Sequence, residues 1–255
     1  MPTASNGSVS LYYEADGDGS TSSRPRADGG GTVVCLGDVG YGAWQWGWQH
    51  AGLTGPFETL VTDLRGAGRS DAPPGPYAVD DLVADVQAVL DDHGERRVHV
   101  VGAGLGGMVA LELARISTRP RSLALLGTAP VGADLTLDPL YGDPSDPDAL
   151  EASLAAALSR DFLDANPDIV ERIVEWRAGE DATREAWDAQ AAAVAAFDIS
   201  DRLYEVDVPA LVLHGRDDAV WPVEYGRRLA ENLPRGRRVG IEDVTVPVDD
   251  HHGLL

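Results

Sequence analysis

Lysine is missing from this 255-residue sequence, because all 20 basic residues are arginine. Acidic residues number 42, so the formal net charge is −22 at pH 7. A surface of this sign repels both the phosphate backbone of nucleic acids and anionic lipid headgroups. We therefore expect neither a nucleic acid nor a membrane as a partner.

Cysteine and long apolar runs are also scarce. The single cysteine, Cys35, lies in the apolar residues 32–36, cannot form an intramolecular disulfide and is predicted to be a core residue in a reducing compartment. Residues 1–10 are polar, with no basic segment before an apolar one, and no run of 18 apolar residues occurs. These absences predict a cytoplasmic protein.

The residues that are present suit one α/β domain with an insertion, since 44% of the chain is hydrophobic. Short apolar runs that alternate with helical patterns predict a doubly wound, mostly parallel sheet. Strands are predicted at residues 9–14, 32–36, 59–63, 98–102, 122–126, 210–214 and 239–248. Helices between them are predicted at residues 79–93, 107–116 and 223–233.

One segment interrupts this alternation. A loop rich in proline, glycine and aspartate is followed by Ala-rich helical stretches at residues 148–163, 167–179 and 182–197. We interpret residues 130–205 as a helical lid. Residues 1–129 and 206–255 then form the two parts of the core domain.

A glycine-dense turn between a predicted strand and a predicted helix carries the chemistry. Gly102, Gly104 and Gly107 match G-x-G-x-x-G, in which glycines let the backbone approach the pyrophosphate of a dinucleotide. That fingerprint also needs an acidic residue about 20 positions later, at the end of the next strand. Residues 127–130, Gly-Thr-Ala-Pro, supply none, so dinucleotide binding is kept only as an alternative.

The same turn also matches a nucleophile elbow, G-x-Nu-x-G, which requires small residues such as Gly102 and Gly106 on either side of the nucleophile. Gly104 stands at the nucleophile position. At this point the chain resembles the α/β-hydrolase superfamily, from about residue 7 to its last residue, and the resemblance implies an α/β-hydrolase fold with a helical lid.

Further motifs carry this resemblance in the order of the family. Residues 36–40, followed by Trp44, are similar to the family's HG-x-x-G oxyanion loop, with Leu36 in place of histidine. Residues 63–71 resemble its D-x-R-G-x-G-x-S loop. Residues 215–222 resemble its G-x-x-D-x-x-x-P loop, which places the triad acid at Asp218, with Asp217 beside it.

The family's catalytic histidine follows the last strand, which in this sequence implies His251, with His252 as the second choice. In the family mechanism the histidine takes a proton from the nucleophile and the acid orients the imidazole. Two backbone N–H groups stabilise the oxyanion. The resemblance assigns that last role to the N–H groups of Asp38 and Leu105.

Gly104 has no atom that can attack a carbonyl, so this mechanism cannot run at that position. One hypothesis is a hydrolase of small esters, lactones or related carbonyl compounds, in which water takes the place of the hydroxyl and His251 acts on it as general base, oriented by Asp218. A second hypothesis is a ligand-binding pseudoenzyme, which the replacement at Leu36 favours. A third is that the glycine was engineered.

No cofactor and no metal are expected. His50, His93, His99 and His214 lack partners at metal-ligand spacing, and we interpret them as structural. The family usually carries a helix after the catalytic histidine, where this sequence has only residues 253–255. We expect either a truncated chain or a partner that covers the exposed face, such as the second copy in a homodimer.

The acidic, lysine-free composition predicts a halophilic protein, because high ionic strength screens the repulsion between surface carboxylates. We expect the chain to fold in about 3 M KCl and to fail to refold in about 0.1 M KCl. Circular dichroism at both salt concentrations measures this. Equal stability in the two solutions would contradict a halophilic adaptation.

Overall fold

The structure is a computed structural model that describes residues 2–17, 31–54 and 56–241. These residues form one eight-stranded sheet with helices on its faces. The strands are β1 (Thr3–Asn6), β2 (Val9–Asp16), β3 (Thr32–Leu36), β4 (Glu58–Thr62), β5 (Val98–Ala103), β6 (Pro120–Leu126), β7 (Ala210–Gly215) and β8 (Gly236–Ile241). The helices are α1 (Gly47–Leu53), α2 (Val79–His93), α3 (Leu105–Ile116), α4 (Pro147–Ser153), α5 (Arg160–Ala165), α6 (Pro167–Glu180), α7 (Arg184–Ala196) and α8 (Val223–Asn232).

The strand order is β1-β2-β4-β3-β5-β6-β7-β8. The six strands from β3 to β8 are parallel to one another. Strands β1 and β2 are the two outermost strands on one side of the sheet, and each pairs antiparallel with its neighbours. This arrangement confirms the predicted doubly wound, mostly parallel sheet. Parallel strands that are covered on both faces need near-continuous apolar sequences, and β3 is buried along its whole length.

Helix α2 has the bounds that its apolar spacing predicts. Intervals of three and four residues place Leu82, Val86 and Val89 on one face, and all three are buried in the core. Gly94 ends the helix with a φ of 83°, in the left-handed region where glycine has no side chain to strain. The helical period therefore fixes both the face and the length of this element.

The structure differs from the predicted elements at several places. Helix α1 was not predicted, and the helical stretch predicted at residues 148–163 is interrupted between α4 and α5. Strand β1 was not expected, because its sequence Thr-Ala-Ser-Asn is polar and only Ala4 is buried. Helix α3 begins at Leu105, directly after the elbow, instead of at residue 107. The last predicted strand begins earlier, in β8, and residues 242–248 of that prediction lie outside the described residues.

The carboxyl ends of the central strands lie at one edge of the sheet. Leu36 in β3 pairs with Gly102 in β5, and Leu126 in β6 pairs with Leu213 in β7. The loops that follow these strands therefore leave the sheet side by side. In open parallel sheets, ligands bind at this edge.

The segment predicted as a lid contains α4, α5, α6 and α7. Arg177 in α6 is fully buried there and binds several groups at once. Its Nε donates to Asp181 Oδ2 at 2.6 Å, its Nη1 donates to Leu150 O at 2.9 Å, and its guanidinium carbon lies 4.9 Å from the centre of the Tyr41 ring. Arg177 thus ties α4 and α6 to the loop that follows β3.

No helix among the described residues combines the length and the apolar character that crossing a membrane requires.

Replacing Arg177 by Ala leaves the buried Asp181 carboxylate without its cation, so we expect a loss of about 3–5 kcal/mol of unfolding free energy. Chemical denaturation measures the loss. Arg172→Ala is the matched control, since Arg172 lies exposed on the same helix. Equal effects of the two substitutions would show that Arg177 does not hold the insertion together.

Candidate active site

The turn between β5 and α3 has the shape of a nucleophile elbow. Gly104 adopts φ 50° and ψ −116°, a strained conformation for residues with a side chain. A Cβ on Gly102 would lie 2.4 Å from Gly106 O, and a Cβ on Gly106 would lie 2.2 Å from Leu36 O. Both flanking positions therefore require glycine because the chain approaches itself so closely.

Hydrogen bonds hold residue 104 in this conformation. Its N–H lies 3.1 Å from Leu126 O and 3.2 Å from Gly127 O, and its carbonyl accepts from Thr128 Oγ1 at 2.6 Å. The elbow is thus anchored to the end of the neighbouring strand β6. Its geometry is kept although the side chain that it would present is absent.

The side chain of Asp38 fills the space above Gly104. A Cβ built on Gly104 would lie 1.7 Å from Asp38 Oδ1 and 2.3 Å from Asp38 Oδ2. Real Cβ atoms essentially never come closer than 3.0 Å to a heavy atom outside their own residue and its chain neighbours. No side chain at position 104, serine included, fits while Asp38 keeps this conformation.

Three N–H groups converge on the Asp38 carboxylate. Oδ1 accepts from Val39 N at 2.7 Å and from Leu105 N at 3.0 Å, and Oδ2 accepts from Trp221 Nε1 at 3.0 Å. The N–H of Asp38, expected to help bind an oxyanion, donates instead to Gln45 Oε1 at 2.8 Å. The two backbone donors at this point are therefore Val39 and Leu105, and the chain's own carboxylate occupies them.

Burial raises the pKa of Asp38 from 3.8 to about 6. The hydrogen bonds from Leu105, Val39 and Trp221 act in the opposite direction, because they stabilise the charged form. The nearby charge of Asp218 raises the pKa further. The carboxylate is therefore a base whose strength suits proton transfer near neutral pH.

Asp218 follows β7 at the same edge of the sheet. Its Oδ1 accepts from Val220 N at 3.0 Å and Trp221 N at 2.7 Å, which orients the loop that carries the indole. Its Oδ2 lies 3.9 Å from Nε2 of His214. His214 is buried and its Nε2 lies 2.6 Å from Trp221 O, as a structural histidine would.

A cavity of about 510 Å³ lies over these residues. Asp38, Gly104 and Asp218 line it from the edge of the sheet. Residues 155–160 of the insertion line its other side. The structure thus brings these three predicted site residues around one space of the size that small ligands occupy.

His251 and His252 lie outside the described residues. Leu36, at the position of the family's histidine, is fully buried in the core. The dinucleotide alternative requires the N–H groups at the start of α3 for a pyrophosphate. The Leu105 N–H is bound to Asp38, whose charge repels a phosphate.

Sequence patterns do not identify Val39, Gln45 or Trp221 as site residues. Two of these act through backbone or amide groups, which residue type does not reveal. One signal in the sequence could have indicated the role of the Asp38 side chain. The oxyanion loop has an aspartate, Asp38, and the elbow has a glycine, Gly104, so the side-chain volume missing at residue 104 is present at residue 38.

One group of side chains elsewhere could hold a metal ion. The ligand atoms of Glu58, His93 and Glu95 lie within 4.8 Å of one another, and His93 Nε2 lies 2.7 Å from Glu58 Oε1. Sequence spacing does not reveal this group, because a strand and a helix end bring together residues that are far apart in sequence. The prediction that His93 is structural stays a prediction. Glu58 pairs with Thr32, so the group lies at the opposite sheet edge.

Residues 33–255 match the sequence model described as the alpha/beta hydrolase family. Among named proteins, the chain is 29% identical to one designated a carbamate hydrolase, RutD, of Azorhizobium caulinodans. That match covers 93% of this chain and 88% of the relative.

Two solved structures share the fold. The enol-lactonase of Burkholderia xenovorans LB400 superimposes with a TM-score of 0.80 at 25% identity, over 94% of this chain and 91% of that one. Est816, described as an enzyme that degrades N-acyl homoserine lactones, gives a TM-score of 0.76 at 26% identity, over 94% and 91%.

The raised pKa of Asp38 has a consequence for stability. Because the pKa of Asp38 in the folded state lies above its ordinary value of 3.8, protonation of this group stabilises the folded protein. This contribution to the unfolding free energy is fully present below about pH 4 and is lost as pH rises through about 6. Between about pH 4 and about pH 7 we expect wild-type protein to lose up to about 3 kcal/mol more unfolding free energy than Asp38→Asn.

Urea unfolding at both pH values measures this difference. Burial also raises the pKa values of Asp63 and Asp181 to about 6. Both residues are present in the wild type and in the variant, so their contribution to the pH dependence cancels in the comparison. Identical pH dependence in the two proteins would mean that Asp38 is not held in a desolvated site.

Proposed function

Because the chain belongs to the alpha/beta hydrolase family, we propose that it hydrolyses a small ester, lactone or related carbonyl compound such as a carbamate. The observation that carries this proposal is the elbow of Gly104, which keeps the family's geometry below a cavity of about 510 Å³ with Asp218 on its wall. Similar proteins designated a carbamate hydrolase, an enol-lactonase and an enzyme that degrades N-acyl homoserine lactones support the same class of substrate.

The attacking group in this proposal is water. Residue 104 has no nucleophilic atom, so a covalent acyl-enzyme cannot form there. His251, oriented by Asp218, takes part in the proton transfer. Asp218 fixes the loop of residues 218–221 through the hydrogen bonds that its Oδ1 accepts from backbone N–H groups. Its Oδ2, which lies 3.9 Å from His214 Nε2, is the oxygen that orients His251 in this proposal.

A panel of p-nitrophenyl esters, lactones and aryl carbamates tests the proposal with purified wild-type protein. We expect turnover of at least one class, and a loss of at least about 100-fold in kcat/KM for His251→Ala, since positioned acid–base groups contribute about 10²–10⁴-fold. His252→Ala is the matched control and should retain activity. Unchanged turnover in His251→Ala would remove His251 from the mechanism.

A ligand-binding protein without catalysis is the second candidate. The observation in its favour is that Val39 and Leu105, the backbone donors beside the elbow, already bind Asp38. Under this alternative the whole panel gives no turnover, while a compound that fits the cavity raises the melting temperature in proportion to the logarithm of its concentration.

A further inference from the structure

Gly104 and Asp38 are complementary in volume. The carboxylate occupies the position that any side chain on residue 104 would take, with 1.7 Å between Oδ1 and the first atom of such a side chain. At the place where a nucleophile elbow presents its side chain, this site therefore has a carboxylate from the neighbouring loop.

The two oxygens of this carboxylate have different environments. Oδ1 accepts two backbone N–H groups, whereas Oδ2 accepts only the Trp221 indole among the described residues. A carboxylate oxygen has room for two donors. Since Asp38 lines the cavity, Oδ2 retains a lone pair for a molecule bound there.

Trp221 fixes the orientation of the carboxylate, and with it the direction from which Oδ2 can accept a further hydrogen bond. Its backbone N–H is held by Asp218 at 2.7 Å and its carbonyl lies 2.6 Å from His214 Nε2, so the indole has little freedom. Asp38 itself is 7% exposed and has no salt bridge to any described arginine. A buried carboxylate without a cation is costly to maintain, which is expected where the charge is used in a reaction.

We propose that the Asp38 carboxylate is a catalytic base, which takes the proton of the attacking water through Oδ2; this inference rests on the proposed hydrolase function. The water oxygen bonds to the substrate carbonyl carbon while its proton passes to Oδ2. The negative charge moves from the carboxylate to the carbonyl oxygen, so the net charge of the cavity does not change.

The tetrahedral intermediate then breaks its bond to the leaving oxygen or nitrogen. Protonated Asp38 gives that atom the proton that it took from the water, which returns the carboxylate to its charged form. The overall reaction consumes one water and needs no oxidant, reductant or further reactant.

Asp63 provides a structural comparison for Asp38. It is also buried, accepts backbone N–H groups from Ala43 at 2.6 Å and Arg69 at 2.8 Å, and lies against Gly68. Burial raises its pKa to about 6 as well. Asp63 does not line the cavity, so Asp63→Asn reports the structural cost of losing such a carboxylate.

The test uses a substrate that the wild-type protein hydrolyses. We expect Asp38→Asn to lose at least about 100-fold in kcat/KM, and Asp63→Asn to retain kcat/KM within about threefold once melting temperatures show that it is folded. The pH profile of the wild type should fall below about pH 6, as Asp38 is protonated. That acidic limb should remain in the residual activity of His251→Ala and be absent from that of Asp38→Asn.

Two results separate this inference from the function on which it rests. Turnover in Asp38→Asn equal to the wild type, or an acidic limb that disappears in His251→Ala and persists in Asp38→Asn, overturns the role of Asp38 and leaves the hydrolase intact. Absence of turnover of every substrate by the wild type contradicts the proposed function itself.

Covalent labelling by a fluorophosphonate gives a second readout that needs no substrate. Gly104→Ser should not react, because Asp38 and the new side chain exclude each other from the same space. Gly104→Ser combined with Asp38→Ala frees both the space and the N–H groups of Val39 and Leu105, and should react at residue 104. Equal labelling of both variants would show that Asp38 does not occupy that place.

Discussion

The hydrogen bonds that Val39 and Leu105 donate to the Asp38 carboxylate, at 2.7 and 3.0 Å, connect the elbow to the oxyanion loop. Because they hold Oδ1 directly over Gly104, residue 104 must lack a side chain. Of the two N–H groups that the resemblance assigns to the developing oxyanion, that of Leu105 is therefore bound to the Asp38 carboxylate, and that of Asp38 is bound to Gln45. The Asp38 side chain thus explains both the glycine and the loss of the Leu105 donor.

The surroundings of this carboxylate are built to keep it in place. Gln45 accepts a hydrogen bond from the backbone N–H of Asp38, and the Trp221 indole donates one to Oδ2. Asp218 in turn accepts a hydrogen bond from the backbone N–H of Trp221. These contacts come from two segments at one edge of the sheet, the one that follows β3 and the one that follows β7. A charge held this firmly in a desolvated position, with its pKa raised to about 6, has the protonation behaviour that acid–base chemistry near neutral pH requires.

Sequence patterns predicted the parts of the fold that depend on local spacing. The apolar period of α2 predicted its bounds, and the buried run of β3 was assigned at residues 32–36, as observed. Strand β1 was missed because pairing with β2, not apolar content, stabilises it. The position of the Asp38 side chain could not be predicted, since it depends on contacts with Leu105 and Trp221, which lie 67 and 183 residues away.

The amide resonances of Val39 and Leu105 give the most direct test that Asp38 occupies the anion site. NMR titration of isotopically labelled protein between about pH 4 and about pH 8 follows both N–H groups. If they donate to Asp38, both shifts move with one common midpoint near pH 6 and lose this titration in Asp38→Asn. Amide shifts that do not change over this range would contradict a carboxylate bound at the elbow.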